Sequence, residues 1–94
     1  MPRISPEILQ EQVDKINQLL STPTIKWAAN NEFNIGHHHL NSANGGYGLY
    51  QITNAQGGDQ DILGVGHVDK SSLHRLLNVF IKGIKAVEYN TFKN

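Results

Sequence analysis

The residues with chemistry to offer are histidines. Four of the chain's five, His37, His38, His39 and His67, fall near its extended middle stretch and the exit from it. On an extended strand, residues two apart point the same way, so His37 and His39 share a face roughly 6–7 Å apart along the backbone. Such a pair holds a zinc ion if a third ligand arrives from elsewhere. His67 is the candidate third ligand, with Asp59 and Asp61 as alternatives. Half-buried histidines bonded to their neighbours would carry the same spacing, and a ring titrating near neutrality is a third use. No other cofactor is expected.

Glycine-rich stretches come next. NGGYG and QGGDQ contain the residues of a phosphate loop, but no Gly-Lys-Ser/Thr follows them. A dinucleotide fingerprint needs strand, turn and helix in that order. Here the glycines lie between extended segments, which makes them hairpin turns. Gly64-Val65-Gly66 does precede a helix, but Asp69 stands at its cap and takes the place of an anion. Ser42, Ser71 and Ser72 are the hydroxyls near the histidines; no G-x-S-x-G occurs and there is no cysteine. The expectation is a protein without catalysis.

A row of Lys70, His74, Asn78, Lys82 and Lys85, flanked by Arg75, recurs at helical spacing. It suits phosphates (weak nucleic-acid contact is a third reading), an acidic protein surface, or simply water. These cations, His74 and the outer-sheet Tyr50 are the candidate partner contacts.

These residues need elements to hold them. Ser5-Pro6-Glu7 starts a helix with an N-cap, a first-turn proline and an acid at the positive end of the dipole. Ile8, Leu9, Val13, Ile16, Leu19 and Leu20 form its apolar stripe, and Ser21-Thr22-Pro23 ends it. Residues 24–32 fit either a short extended piece or a helical turn, with Trp27 as a core anchor. Strand alternation runs Phe33 to Asn41, turns at Asn44-Gly45-Gly46, runs Tyr47 to Asn54, turns at Gln56-Gly57-Gly58, and runs Asp59 to Leu63. A second helix follows Asp69, with Val68 and Leu73 as a hydrophobic staple. Leu73, Leu76, Leu77, Phe80, Ile84 and Val87 make its face, and Phe80 is expected at the centre of the core. Gly83 beside that face suggests close backbone packing. The fold class is therefore α+β: helix, three-stranded antiparallel meander, helix, with both helices on one face of the sheet. Residues 1–94 make one domain, frayed at 1–4 and 89–94.

The net charge is zero, which weighs against nucleic acid or an anionic membrane as a general partner. Its distribution is uneven. Lys70 to Asn94 holds five bases and one acid, while Glu7, Glu11 and Asp14 line the back of the first helix. A homodimer could set one helix against the other by charge, or pair open sheet edges. No apolar run spans a bilayer and MPRISPEILQ lacks a leader's apolar stretch, so the cytoplasm is the expected location.

The stretch GGYGLYQITNAQGGDQDI, with a helix ending FIKGIKA, resembles a pattern in small proteins encoded by bacteriophages and related mobile elements. The matching residues are Gly45, Gly46, Tyr47, Leu49, Tyr50, Gly57, Gly58, Asp61, Phe80 and Gly83. Some of those proteins inhibit host defences, anti-CRISPR proteins among them. The resemblance implies a binding or inhibitory role in the host cytoplasm through contacts with a protein, and carries no site residue. The other reading is a metal- or small-ligand-binding module built on the His37/His39 strand.

Overall fold

The computed structural model describes residues 3–93, apart from the side chains of 89–93. The first helix, α1 (Pro6–Leu20), is capped by Ser5, whose hydroxyl accepts the Ile8 amide. It stops where Ser21 turns into the left-handed region and its N–H returns to the Asn17 and Gln18 carbonyls. Three strands follow, β1 (His38–Ala43), β2 (Gly46–Ile52) and β3 (Asp59–Asp61), in an antiparallel sheet of order β1-β2-β3. The second helix is α2 (Lys70–Lys93). Its backbone stays helical through 89–93, where a frayed tail was expected; Met1, Pro2 and Asn94 lie outside the described residues.

The β1–β2 turn falls where the sequence predicts one, at Asn44-Gly45-Gly46, and is tighter than expected, a two-residue loop. Asn44 and Gly45 both have positive φ (52° and 80°) between the paired Ala43 and Gly46, the turn whose twist matches the strands on either side. Strand β1 begins five residues later than the alternation suggests. Gly36 sits at φ 96°, and Gly36 and His37 both bond to Ile52, which breaks the regular ladder there. Strand β3 is also shorter, because Asp61 folds the chain back on itself: its carboxylate accepts the Gly64 and Gly66 amides at 3.0 and 2.7 Å. The chain returns to the sheet only at Val68, which pairs with Tyr47.

Register decides which side chains meet the helices. Pairing puts His38, Leu40, Leu49, Gln51 and Tyr47 on one face and His39, Asn41, Tyr50 and Asp61 on the other. The first face is covered. Leu9, Val13 and Ile16 of α1, Leu73 and Leu77 of α2, and Leu49 of β2 form one core with no solvent exposure. Two polar clasps hold the layers in place. Asn17, fully buried, donates to the His38 carbonyl at 2.9 Å and accepts the His38 N–H at 2.8 Å, so a side chain pairs with a strand's backbone. Gln12 ties α1 to α2 through the His74 carbonyl, the Asn78 amide oxygen and the His74 ring. Phe80 is not at the centre of the core. It lies half-buried at the core's edge, because α2 is 24 residues long and α1 only 15, and α1 has ended before Phe80 can be enclosed.

Candidate functional site

Residues 25–35 form a small hairpin of their own. Trp27 and Phe33 pair as an antiparallel bridge, with Ala28 N–H donating to Glu32 at 2.8 Å and Asn34 N–H to Lys26 at 2.9 Å. Asn31, at φ 65°, makes the reversal. Ile25 and Ile35 flank this bridge, one in the bend before it and one in the turn after it. The expected core anchor is thus not in the core: Trp27 is 50% exposed, Ile25 64% and Ile35 59%. The core under the sheet is already filled by leucines from both helices, and the indole packs against Phe33 instead, the rings tilted by 34° with centres 4.1 Å apart. Lys26 Nζ lies 6.0 Å and 5.6 Å from the two rings, within cation–π range. Phe33 in turn is fixed: its N–H bonds to Ala55, and its ring fills the space where a Gly57 side chain would stand, 2.6 Å from that position. Gly57 also has φ 97°, so two constraints require glycine there.

The open face of the sheet carries a row of rings. His37 and His39 are nearly parallel, 6.4 Å apart; Tyr50 follows at 6.3 Å from His39, and His67 at 5.4 Å from Tyr50. The expectation that His37 and His39 share a side is met. His67 stands on the far side of Tyr50 and donates to Asn41 at 2.7 Å, so it does not converge with them. Among the described residues no group of three His, Asp or Glu is placed to hold a metal ion.

Hydrogen bonds set the proton positions on these rings. His37 Nδ1 faces the Pro23 carbonyl at 2.8 Å, which only accepts, so Nδ1 carries the hydrogen. His39 donates from Nε2 to Asp59 at 2.9 Å. Burial pushes the His39 pKa below its ordinary value and outweighs the hydrogen bond to Asp59 and its charge, which act in the opposite direction. The contact is therefore a neutral imidazole donating to a carboxylate near pH 7, not a full ion pair. His38 is buried on the other face, with Nδ1 3.0 Å from Asn17 Oδ1. Its pKa is also lowered, first by burial and then by the neighbouring His37 and His39.

The cations predicted as a partner surface separate in space. Lys70, Lys82 and Lys85 are exposed, but His74 is half-buried against α1 and its ring bonds to Gln12 at 3.1 Å. The row at helical spacing is one edge of the interhelical contact as much as an open stripe. Tyr50 belongs to the ring row on the opposite side of the sheet from the helices. The residues missed as contacts are those of the hairpin. Their signal was Ile25-x-Trp27 and Phe33-x-Ile35 on either side of Asn30-Asn31, the pattern of a hairpin. No helix among the described residues is long and apolar enough to cross a membrane. No protein-family model, curated protein or solved structure matches the chain.

Proposed function

We propose that the protein is a non-catalytic binding domain that docks on a protein partner with the apolar face of the 25–35 hairpin. The observation that carries this reading is Trp27, half exposed yet held by Phe33, Lys26 and the hairpin's backbone bonds. Tryptophan is enriched among the few residues that dominate interface energy. An indole already fixed in place loses little freedom on binding. The complementary surface is an apolar pocket with a carboxylate at its rim to meet Lys26. The resemblance to small phage proteins is in keeping with such a role, and with inhibition as its outcome inside a host cell.

The chain has a single tryptophan, so its fluorescence reports this site alone. A purified partner that closes over the hairpin shifts the emission to the blue. Trp27→Ala leaves the fold intact by circular dichroism and weakens that partner's binding by about thirty-fold or more, the factor expected of an interface anchor. Wild-type affinity in Trp27→Ala would remove this surface from consideration.

A second reading has its own support. Both His37 and His39 have one ring nitrogen engaged by an oxygen acceptor, as metal-bound histidines do, leaving Nε2 of His37 and Nδ1 of His39 as the remaining nitrogens. Two histidines hold a zinc ion weakly unless water or a partner supplies further ligands. Zinc then raises the melting temperature by binding the native state, and His39→Ala abolishes the rise. Calorimetry showing no zinc uptake near neutral pH would exclude it.

A further inference from the structure

The distal half of α2 has an apolar face that the rest of the described chain does not close. A groove of about 550 Å³ runs along it, lined by Leu20, Phe80, Gly83, Ile84 and Val87, with Glu88 at its rim. It exists because α2 outruns α1: at about 1.5 Å per residue the two differ by roughly 13 Å. The radius of gyration, 14.0 Å, exceeds the roughly 12 Å of a compact chain of this length, as an overhanging helix requires.

Gly83 is the informative residue. Glycine inside a helix costs stability, and a common reason for it is close approach by another element. Among the described residues nothing lies within 4 Å of where its Cβ would be. The described residues make no use of the space. Ile84, the next residue, projects into the same groove. A hole and a knob in adjacent positions are what an antiparallel two-fold contact needs. With the axis between residues 83 and 84, Ile84 of each copy enters above Gly83 of the other, and Phe80 faces Val87. A different partner would require only the hole.

We propose that two copies of this chain associate through antiparallel packing of the distal halves of α2, about a two-fold axis at Gly83–Ile84. Charge does not oppose it. At 100° per residue, Lys82 and Lys85 fall on the far side of the helix from the groove, and among the described residues the rim carries only Glu88. The association differs from one driven by the acidic back of α1 and the lysines of α2, because it buries apolar surface. Two crossed helix ends and the adjoining Leu20 cover less than the roughly 800 Å² per partner of a standard interface. The dimer is therefore reversible, and the proposal is independent of the hairpin surface.

Sedimentation from about 1 μM to about 1 mM protein tests this directly. The expected result is a mass rising from the 10.5 kDa monomer toward twice that value, unchanged between low and high salt because no ion pairs are screened. Gly83→Leu fills the hole without meeting any group of the described residues, so it keeps the fold and weakens the dimer about ten-fold or more. The chain contains no cysteine, which makes oxidative trapping clean. Ile84→Cys lies beside the axis and forms a symmetric disulfide, whereas Lys82→Cys on the far side does not. A monomer at every concentration overturns the proposal. So does a dimer that Gly83→Leu leaves intact, or one trapped by Lys82→Cys and not by Ile84→Cys.

Discussion

Over its first three turns α2 lies under cover: Leu73 and Leu77 expose nothing, and α1 and Leu49 close around them. Over the next turns the same stripe continues through Phe80, Ile84 and Val87, yet Phe80 and Ile84 are half-buried and Val87 is 67% exposed. Residue type and spacing do not distinguish these halves. The difference is whether another element reaches that far. Leu20 is the last residue of α1, is itself 40% exposed, and marks the line. An apolar stripe shows which way a helix faces; how much of it is covered depends on the lengths of its neighbours.

Substitutions along the stripe should separate the halves. Leu77→Ala removes a fully enclosed side chain and should lower the unfolding free energy by about 2–5 kcal/mol. Phe80→Ala, although it deletes more atoms, should cost only about 1–2 kcal/mol, since much of the ring already touches solvent. Urea denaturation at low protein concentration measures both. Equal losses would mean that the distal half is covered in solution even by the monomer, and the contrast would fail.

The covered half also depends on α1 being held at the correct height, which is the work of Asn17. Asn17→Ala leaves the buried His38 N–H and carbonyl without this partner and should cost about 2–3 kcal/mol. Phe80 should be less affected, because it packs only at the core's edge, beside Leu20 at the end of α1. If the Asn17 substitution loosens both halves equally, by hydrogen exchange along α2, the two are one cooperative unit.

The smallest expected effect is on pH. The pKa of His38 is lowered from its ordinary 6.5 by burial, so the unfolded chain binds more protons than the folded one just below that value. Stability should therefore be complete above about pH 6.5, fall as pH drops through it, and level off below the lowered folded pKa. His39 adds to the same trend, since its own pKa is lowered. Thermal melts between pH 8 and pH 5 follow this, and His38→Gln should flatten the curve. A melting temperature that rises on acidification would show that these rings are charged in the folded state.

Element order, fold class and the two glycine turns were legible in the chain itself. Their signals are local: Ser5 and Pro6 at a helix start, Asn44-Gly45 where both φ values must be positive, Asp69 before the α2 stripe. Alternation also pointed to the sharing of one side by His37 and His39, although His37 lies just before β1, where Gly36 breaks the ladder. The polar clasp residues were not legible. Gln12 and Asn17 border the apolar stripe of α1, a position that asks for a buried partner, but nothing in α1 names His38 or His74 as that partner.

Local chemistry thus determined the elements of this protein, their order and the direction each one faces, because caps, turns and periodicity act over a few residues. Tertiary structure decided what those faces meet. Trp27 left the core because leucines from two helices had filled it and Phe33, set across the hairpin, offered the indole another ring. His67 parted from His37 and His39 because the Asp61 turn carried it beyond Tyr50. Phe80 stayed half open because α1 ends too soon. Each outcome depends on the distance between segments far apart in sequence, and that distance is set only when the layers pack.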